Sequence, residues 1–156
     1  MADMTTNIAS PDALLDMIGA DLGTSDWVQI PQSDVNAFAK ATKDEQWIHV
    51  DPERAAAGPF GATIVHGYMT LSMLVPLLHN AFQVEGVAMG INYGLNKVRF
   101  PAPTPVGSRV RVHAELVAAD RVSGGVQAIV DATVEAEGVD KPVCVAQSIV
   151  RYYPAQ

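Results

Sequence analysis

A chain of 156 residues that is 49% apolar holds enough nonpolar side chain for one packed domain, which excludes a disordered polar segment. A formal charge of −7 with 10 Lys+Arg excludes nucleic acid as a partner, because phosphate binding needs a broad basic face. The single cysteine, Cys144, excludes an internal disulfide and a thiolate metal cage.

Residues 1–10 show neither a basic nor an apolar leader pattern, so a cytoplasmic protein is expected. Ser10-Pro11-Asp12 reads as a helix start, with a capping hydroxyl, proline in the first turn and an acid beside it. Leu14, Leu15 and Ile18 would form its apolar face, and Gly19 and Gly23 its stop, so residues 1–25 are expected to be a helical extension. Trp27 to Ile30 reads as a short strand. Ser33 would cap a second helix that carries Val35, Phe38 and Ala39 to about Ala41. A polar stretch, Thr42 to Asp51, follows. Asp51-Pro52-Glu53 then opens a short helix through Ala57, and Gly58-Pro59-Phe60-Gly61 is an irregular loop.

Ile64 to Ala81 is expected to be the central helix. Its apolar residues wrap the whole circumference, which makes it buried, and Pro76 should kink it. It is too short for a membrane span, which takes about 20 apolar residues. Residues 87–100 read as a strand bent by Gly90 and Gly94. From Arg109 the alternation is clean: Val110, Val112, Ala114 and Leu116 face one way, and Arg109, Arg111, His113 and Glu115 the other. Val126 to Ala136 repeats the pattern, and Val143 to Tyr153 makes the last strand. One long helix and several long antiparallel strands predict an α+β domain over residues 1–156, with a sheet curled around a helix.

Asp44 and His49 are the residues whose chemistry is most suggestive. A carboxylate and an imidazole that reach one water can orient it, take its proton and return one elsewhere. Their D-x4-H spacing does not by itself specify a site. His66 precedes the central helix; it is either catalytic or bonded to backbone at the N-terminal turn. His79 reads as structural near a helix C-terminus, and His113 as solvated on a polar strand face. Ser72 and Thr70 lack triad partners, and Cys144 falls in a strand pattern as inert core. Asn96, Lys97 and Arg99 cluster as donors that either contact a phosphate or adenine of a ligand or form a solvated strand end. Asp44 and His49 show no further clustering of ligand-type residues, so no metal site is expected.

The run Ala41 to Pro52, ATKDEQWIHVDP, resembles the hydratase-2 motif of MaoC-like (R)-specific enoyl-CoA hydratases. Ala55, Gly61-x-Thr63-Ile64-Val65-His66-Gly67, Leu95 to Pro101 and Val106-Gly107-Ser108 continue the likeness, which covers about residues 28–153 and is strongest to the nodulation-protein-N-like branch. The resemblance implies a hot-dog fold assembled as a homodimer, acting on an acyl-CoA without a separate cofactor or metal. It implies that Asp44 and His49 hold the water that adds to a trans-2-enoyl thioester, and that the Gly67 N–H bonds the thioester carbonyl. Tyr68, Asn96 and Arg99 are the candidate substrate-binding residues. This chain has Lys43 where the family usually has Gly, and Gln46-Trp47 where it often has Asn-Pro. Trp47 would either narrow an acyl tunnel or pack in the core. The readings to be weighed against hydration are a hot-dog acyl-CoA thioesterase and a non-catalytic acyl-CoA-binding subunit.

Overall fold

The computed structural model describes residues 5–156. Its elements run β1 (Thr6–Ile8), a 3-10 turn over Asp12–Asp16, β2 (Asp21–Thr24), β3 (Val28–Gln29), α1 (Gln32–Thr42), α2 (Trp47–Val50) and α3 (Pro52–Ala56). Then come α4 (Gly67–Ser72), α5 (Leu74–Ala81), β4 (Phe82–Val84), β5 (Val87–Arg99), β6 (Arg109–Val122), β7 (Gly125–Ala136) and β8 (Cys144–Pro154).

The main sheet is antiparallel in the order β2-β6-β7-β8-β5, with β3 beside β2 on β6. Alternation dictates its inner face. Val110, Val112, Ala114, Leu116, Val126, Ala128, Val130 and Val134 are buried, while Arg109, His113 and Glu115 between them are exposed. Bulges at Leu116/Ala118 in β6 and at three places along β5 bend the strands. The curved sheet closes on α5, which packs on β6 and β2, while α4 packs on β8. Small side chains at Ala114, Ala128, Ala132 and Ala146 let the helical layer lie close. Leu77, wholly buried there, contributes about 1.5–3 kcal/mol by leaving water. This is the hot-dog arrangement, and it is α+β as expected.

The central helix differs from expectation in two ways. It breaks at Met73, three residues before Pro76, into α4 and α5. Pro76 has no N–H for the Ser72 carbonyl, and its ring crowds that oxygen, so the turn ahead of it loosens. Bonds from Met73 N–H to Met69 O (3.0 Å) and Leu77 N–H to Met73 O (3.1 Å) keep the two pieces in line. Nor is it buried all round: Tyr68, Ser72, Val75, Pro76 and His79 are exposed along one side.

The N-terminal segment is not a helical extension. The Ser10 hydroxyl does accept the Ala13 N–H at 3.1 Å, but the helix ends after one 3-10 turn, with Leu14 buried and Ile18 exposed. The chain then joins the main sheet as β2, while β1 pairs in parallel with β4, Thr6 opposite Phe82. Residues 1–4 lie outside the described residues.

Candidate active site

The site is assembled at the end of α1. This helix starts after Pro31 rather than at a Ser33 cap, and ends at Lys43 in the left-handed region, φ 67° and ψ 19°. That turn sends the chain to Asp44, whose side chain is 53% exposed. Gln46 is extended at φ −59° and ψ 139°, and Trp47 then opens the single turn of α2. This is the path an Asn-Pro pair would take, since proline suits a first helical position and forces an extended residue ahead of it. Trp47 lies against Gly58 with the Arg54 guanidinium 4.4 Å from its ring centre. It is packed on the α2–α3 corner and does not line the cavity described below. The Asp51 carboxylate accepts the Arg54 N–H at 3.1 Å and caps α3, as its sequence predicts.

Inside α2, His49 is buried and tied down on several sides. Its Nδ1–H donates to the Ile64 carbonyl at 2.6 Å. Because that oxygen only accepts, Nε2 is left as the basic nitrogen of the ring. Gln32 donates to the His49 carbonyl at 2.7 Å and accepts from the Thr63 hydroxyl at 2.7 Å, and the Ile64 N–H bonds Ile48 O at 2.9 Å. His49 is therefore held by both α1 and the segment that leads into α4.

His66 comes from that segment. It is 3% exposed, and its ring stacks on His49 with centres 3.8 Å apart and planes 23° from parallel. Its Nε2–H donates to the main-chain carbonyl of Asp44 at 2.9 Å, and the Asp44 carboxylate lies 3.9 Å away. The bond to backbone expected of His66 exists, but it reaches back 22 residues rather than to its own turn. Among the described residues its Nδ1 is buried without a hydrogen-bond partner, at a desolvation cost of about 1–3 kcal/mol.

Polar atoms of Asp44, His49 and His66 thus all lie within 4.8 Å of one another. Two hydrogen bonds of about 2.8 Å at a water oxygen span roughly 4.6 Å, so one water fits between such groups. Sequence spacing led to no third ligand-type group beside Asp44 and His49; the fold supplies one in His66. Its Nε2 is committed to a carbonyl and the rings lie nearly parallel, whereas metal-bound imidazoles aim their lone pairs at one point.

Beside the pair is a cavity of about 270 Å³ lined by His49, Val65, Gly67, Thr70, Phe100, Ala102, Thr104 and Val143 among others. Gly67 begins α4, where the first N–H groups have no intrahelical acceptor and face positive dipole. Its wall across the cavity is Phe100, and a Cβ on Gly67 would sit 3.0 Å from that ring. The far wall is zipped on by Val65 N–H to Thr104 O, 2.8 Å, and Val106 N–H to Thr63 O, 2.9 Å.

The fold therefore brings Asp44 beside His49, and His49 and Gly67 line one cavity that Asp44 does not. Tyr68 is 74% exposed and outside the cavity lining. Arg99 donates to the Val98 carbonyl at 2.6 Å and is outside the cavity lining. Asn96 is not brought to the site: its amide donates at 2.9 Å to Gln147, which lies between inward Ala146 and Ser148 and so on the sheet's outer face. Phe100 and Thr104 escaped sequence reading because strand-end and loop residues carry no periodicity. Burial pushes the Cys144 thiol up to about 11, in line with its reading as inert core.

Comparison with known proteins matches residues 14–139 to the family described as MaoC like domain. Over 135 residues the chain is 64% identical to 3-hydroxyacyl-thioester dehydratase Z of Mycobacterium tuberculosis, covering 86% of this chain and 89% of that one. It is 43% identical over 138 residues to nodulation protein N of Rhizobium meliloti, covering 85% and 84%. Among solved structures, an (R)-hydratase from A. caviae superimposes with a TM-score of 0.71 at 24% identity, over 88% of this chain and 96% of that one.

Proposed function

The chain belongs to the MaoC-like domain family, and from that premise we propose that its site adds water across a trans-2-enoyl thioester, and removes it again, to interconvert it with an (R)-3-hydroxyacyl thioester. It is an enzyme of the dehydratase class. The observation that carries the reading is the convergence of polar atoms of Asp44 and His49 to within 4.8 Å, beside a cavity lined by His49 and Gly67.

Asp44 orients the water, and His49 Nε2, free because Nδ1–H is engaged, takes its proton as oxygen attacks C3. Negative charge then builds on the thioester oxygen. The N–H of Gly67 at the start of α4 donates to that oxygen, and the pair returns a proton to C2. Dehydration is the same path reversed. The reaction is redox-neutral with water as co-reactant, so we invoke no cofactor; coenzyme A enters as part of the substrate. The apolar lining from Val65, Ala102 and Val143 suits an acyl chain.

A homodimer joined through β5 is part of the proposal. It is supported by that strand's free edge and by the exposed Met89, Ile91, Tyr93 and Leu95 along it. No helix among the described residues is long and apolar enough to cross a membrane. A cytoplasmic setting suits the single buried thiol.

The test is hydration of crotonyl-CoA, followed by loss of enoyl absorbance. Asp44→Asn and His49→Ala should each lower the rate at least ~100-fold, and the double variant should be little worse, because groups acting as a unit are non-additive. A single variant within a few-fold of wild type would refute the pair. Release of free thiol in place of hydration would mark a thioesterase.

A further inference from the structure

We propose that His66 is a positioning residue of this reaction, holding Asp44 by its main chain and His49 by its ring so that both reach the same water. The proposal deepens the hydratase reading above and rests on it for the roles of Asp44 and His49.

Asp44 needs such a hold. It follows a left-handed residue at a helix end and is half exposed, so little packing fixes where its carboxylate points. The contact that ties it to the site is the bond from His66 Nε2–H to its carbonyl oxygen. Fixing the backbone there shortens the arc through which the carboxylate can swing. His66 is itself immobile, because His49 covers one side of its ring and Phe38, 4.9 Å away and tilted by 55°, also packs against it. The plane of His66 thereby sets the plane of His49, whose Nε2 must aim at the water Asp44 holds.

The chemistry of the ring supports the assignment. The Asp44 carbonyl only accepts, so the proton of His66 sits on Nε2 and Nδ1 is bare. That bare nitrogen is buried and, among the described residues, unpartnered. A phenylalanine would fill the slot between Phe38 and His49 without an orphaned polar atom. The orphan is explained if the Nε2–H is what the position requires.

Two substitutions separate the donor from the packing. His66→Phe keeps a ring against His49 and loses the donor; His66→Gln places an amide N–H at about the reach of Nε2. Melting temperature, kcat and KM with crotonyl-CoA are measured on each. His66→Phe should lower kcat about 10- to 100-fold with KM within about two-fold, the signature of a misplaced reacting group rather than lost binding. His66→Gln should recover most of that loss. A folded His66→Phe protein with wild-type kcat overturns the proposal, as does a folded His66→Gln protein no better than His66→Phe. Should neither fold, the ring nitrogen resonances of the wild-type protein decide: a protonated Nε2 and bare Nδ1 sustain the proposal, and the opposite tautomer ends it. Loss of hydration in Asp44→Asn and His49→Ala beside full kcat in His66→Phe would fell the positioning role alone. Full activity in the first two would fell the hydratase reading beneath it.

Discussion

Lys43 holds its left-handed backbone for the sake of its neighbour. Among the described residues it is the one non-glycine with positive φ, and its conformation turns the chain from α1 to Asp44. An L side chain there costs roughly 1–2 kcal/mol that glycine avoids. Lys43→Gly should therefore stabilise the fold by about 1 kcal/mol, a rise of roughly 2–4 °C in melting temperature for a chain this size, with hydration near the wild-type rate. A lower melting temperature would show that glycine's extra freedom in the unfolded chain outweighs the relief. Gly67 is a different case, because its φ is not left-handed and what a side chain would meet there is the Phe100 ring. Phe100 is half exposed and free to swing out. Gly67→Val should thus shift melting only modestly while the rate of crotonyl-CoA hydration falls about 100-fold, the size of a lost oxyanion donor. Equal damage to both would make Gly67 a packing residue.

At the scale of elements, short edge strands depend on side chains. β2 is held to β6 partly by His113, whose Nε2 lies 3.0 Å from the Asp21 carboxylate. That hydrogen bond first, then the Gly23 N–H, keeps the Asp21 carboxyl below its ordinary value of 3.8. A carboxyl lowered by folding gives stability that is complete above its unfolded value and drains as pH falls toward the folded one. Melting curves from pH 5 to pH 3, about the range where the acid titrates, should fall less steeply for Asp21→Asn than for wild type. Near pH 7 the exposed pair should contribute less than ~1 kcal/mol. The same contrast governs what the sequence made legible. β7, the first half of β6 and the start of β8 are plain because every second residue is buried, and α1 and α3 because Val35 and Ala39, or Asp51 and Pro52, mark a face or a cap. β1, β2 and β4 were missed because three or four residues are too few to show a period. Asp44, His49 and Gly67 came from a motif. The stack of His66 on His49 could not, because it depends on two segments meeting.

For the whole molecule, the proposed homodimer turns on β5. Its 13 residues pair with β8 along one edge and expose a row of backbone groups and large apolar side chains along the other. Natural sheets cover or charge such an edge. A two-fold copy would cover it by extending one sheet into the next. Sedimentation at micromolar concentration should show a dimer, and Ile91→Lys should shift it toward monomer. A monomeric wild type would contradict the assignment.

The origin of the site's parts has a consequence for how such proteins diverge. Phe38, Asp44, His49, His66 and Gly67 lie on one continuous stretch, whereas Phe100, Ala102, Thr104 and Val143 come from two later ones. On the proposed reaction, the groups that handle the water come from one passage of the sequence and the cavity's opposite wall from others, joined by main-chain bonds such as Val65 to Thr104 that no side chain dictates. Mutational drift in the later passages can therefore reshape what the cavity admits while the groups that handle the water are inherited intact.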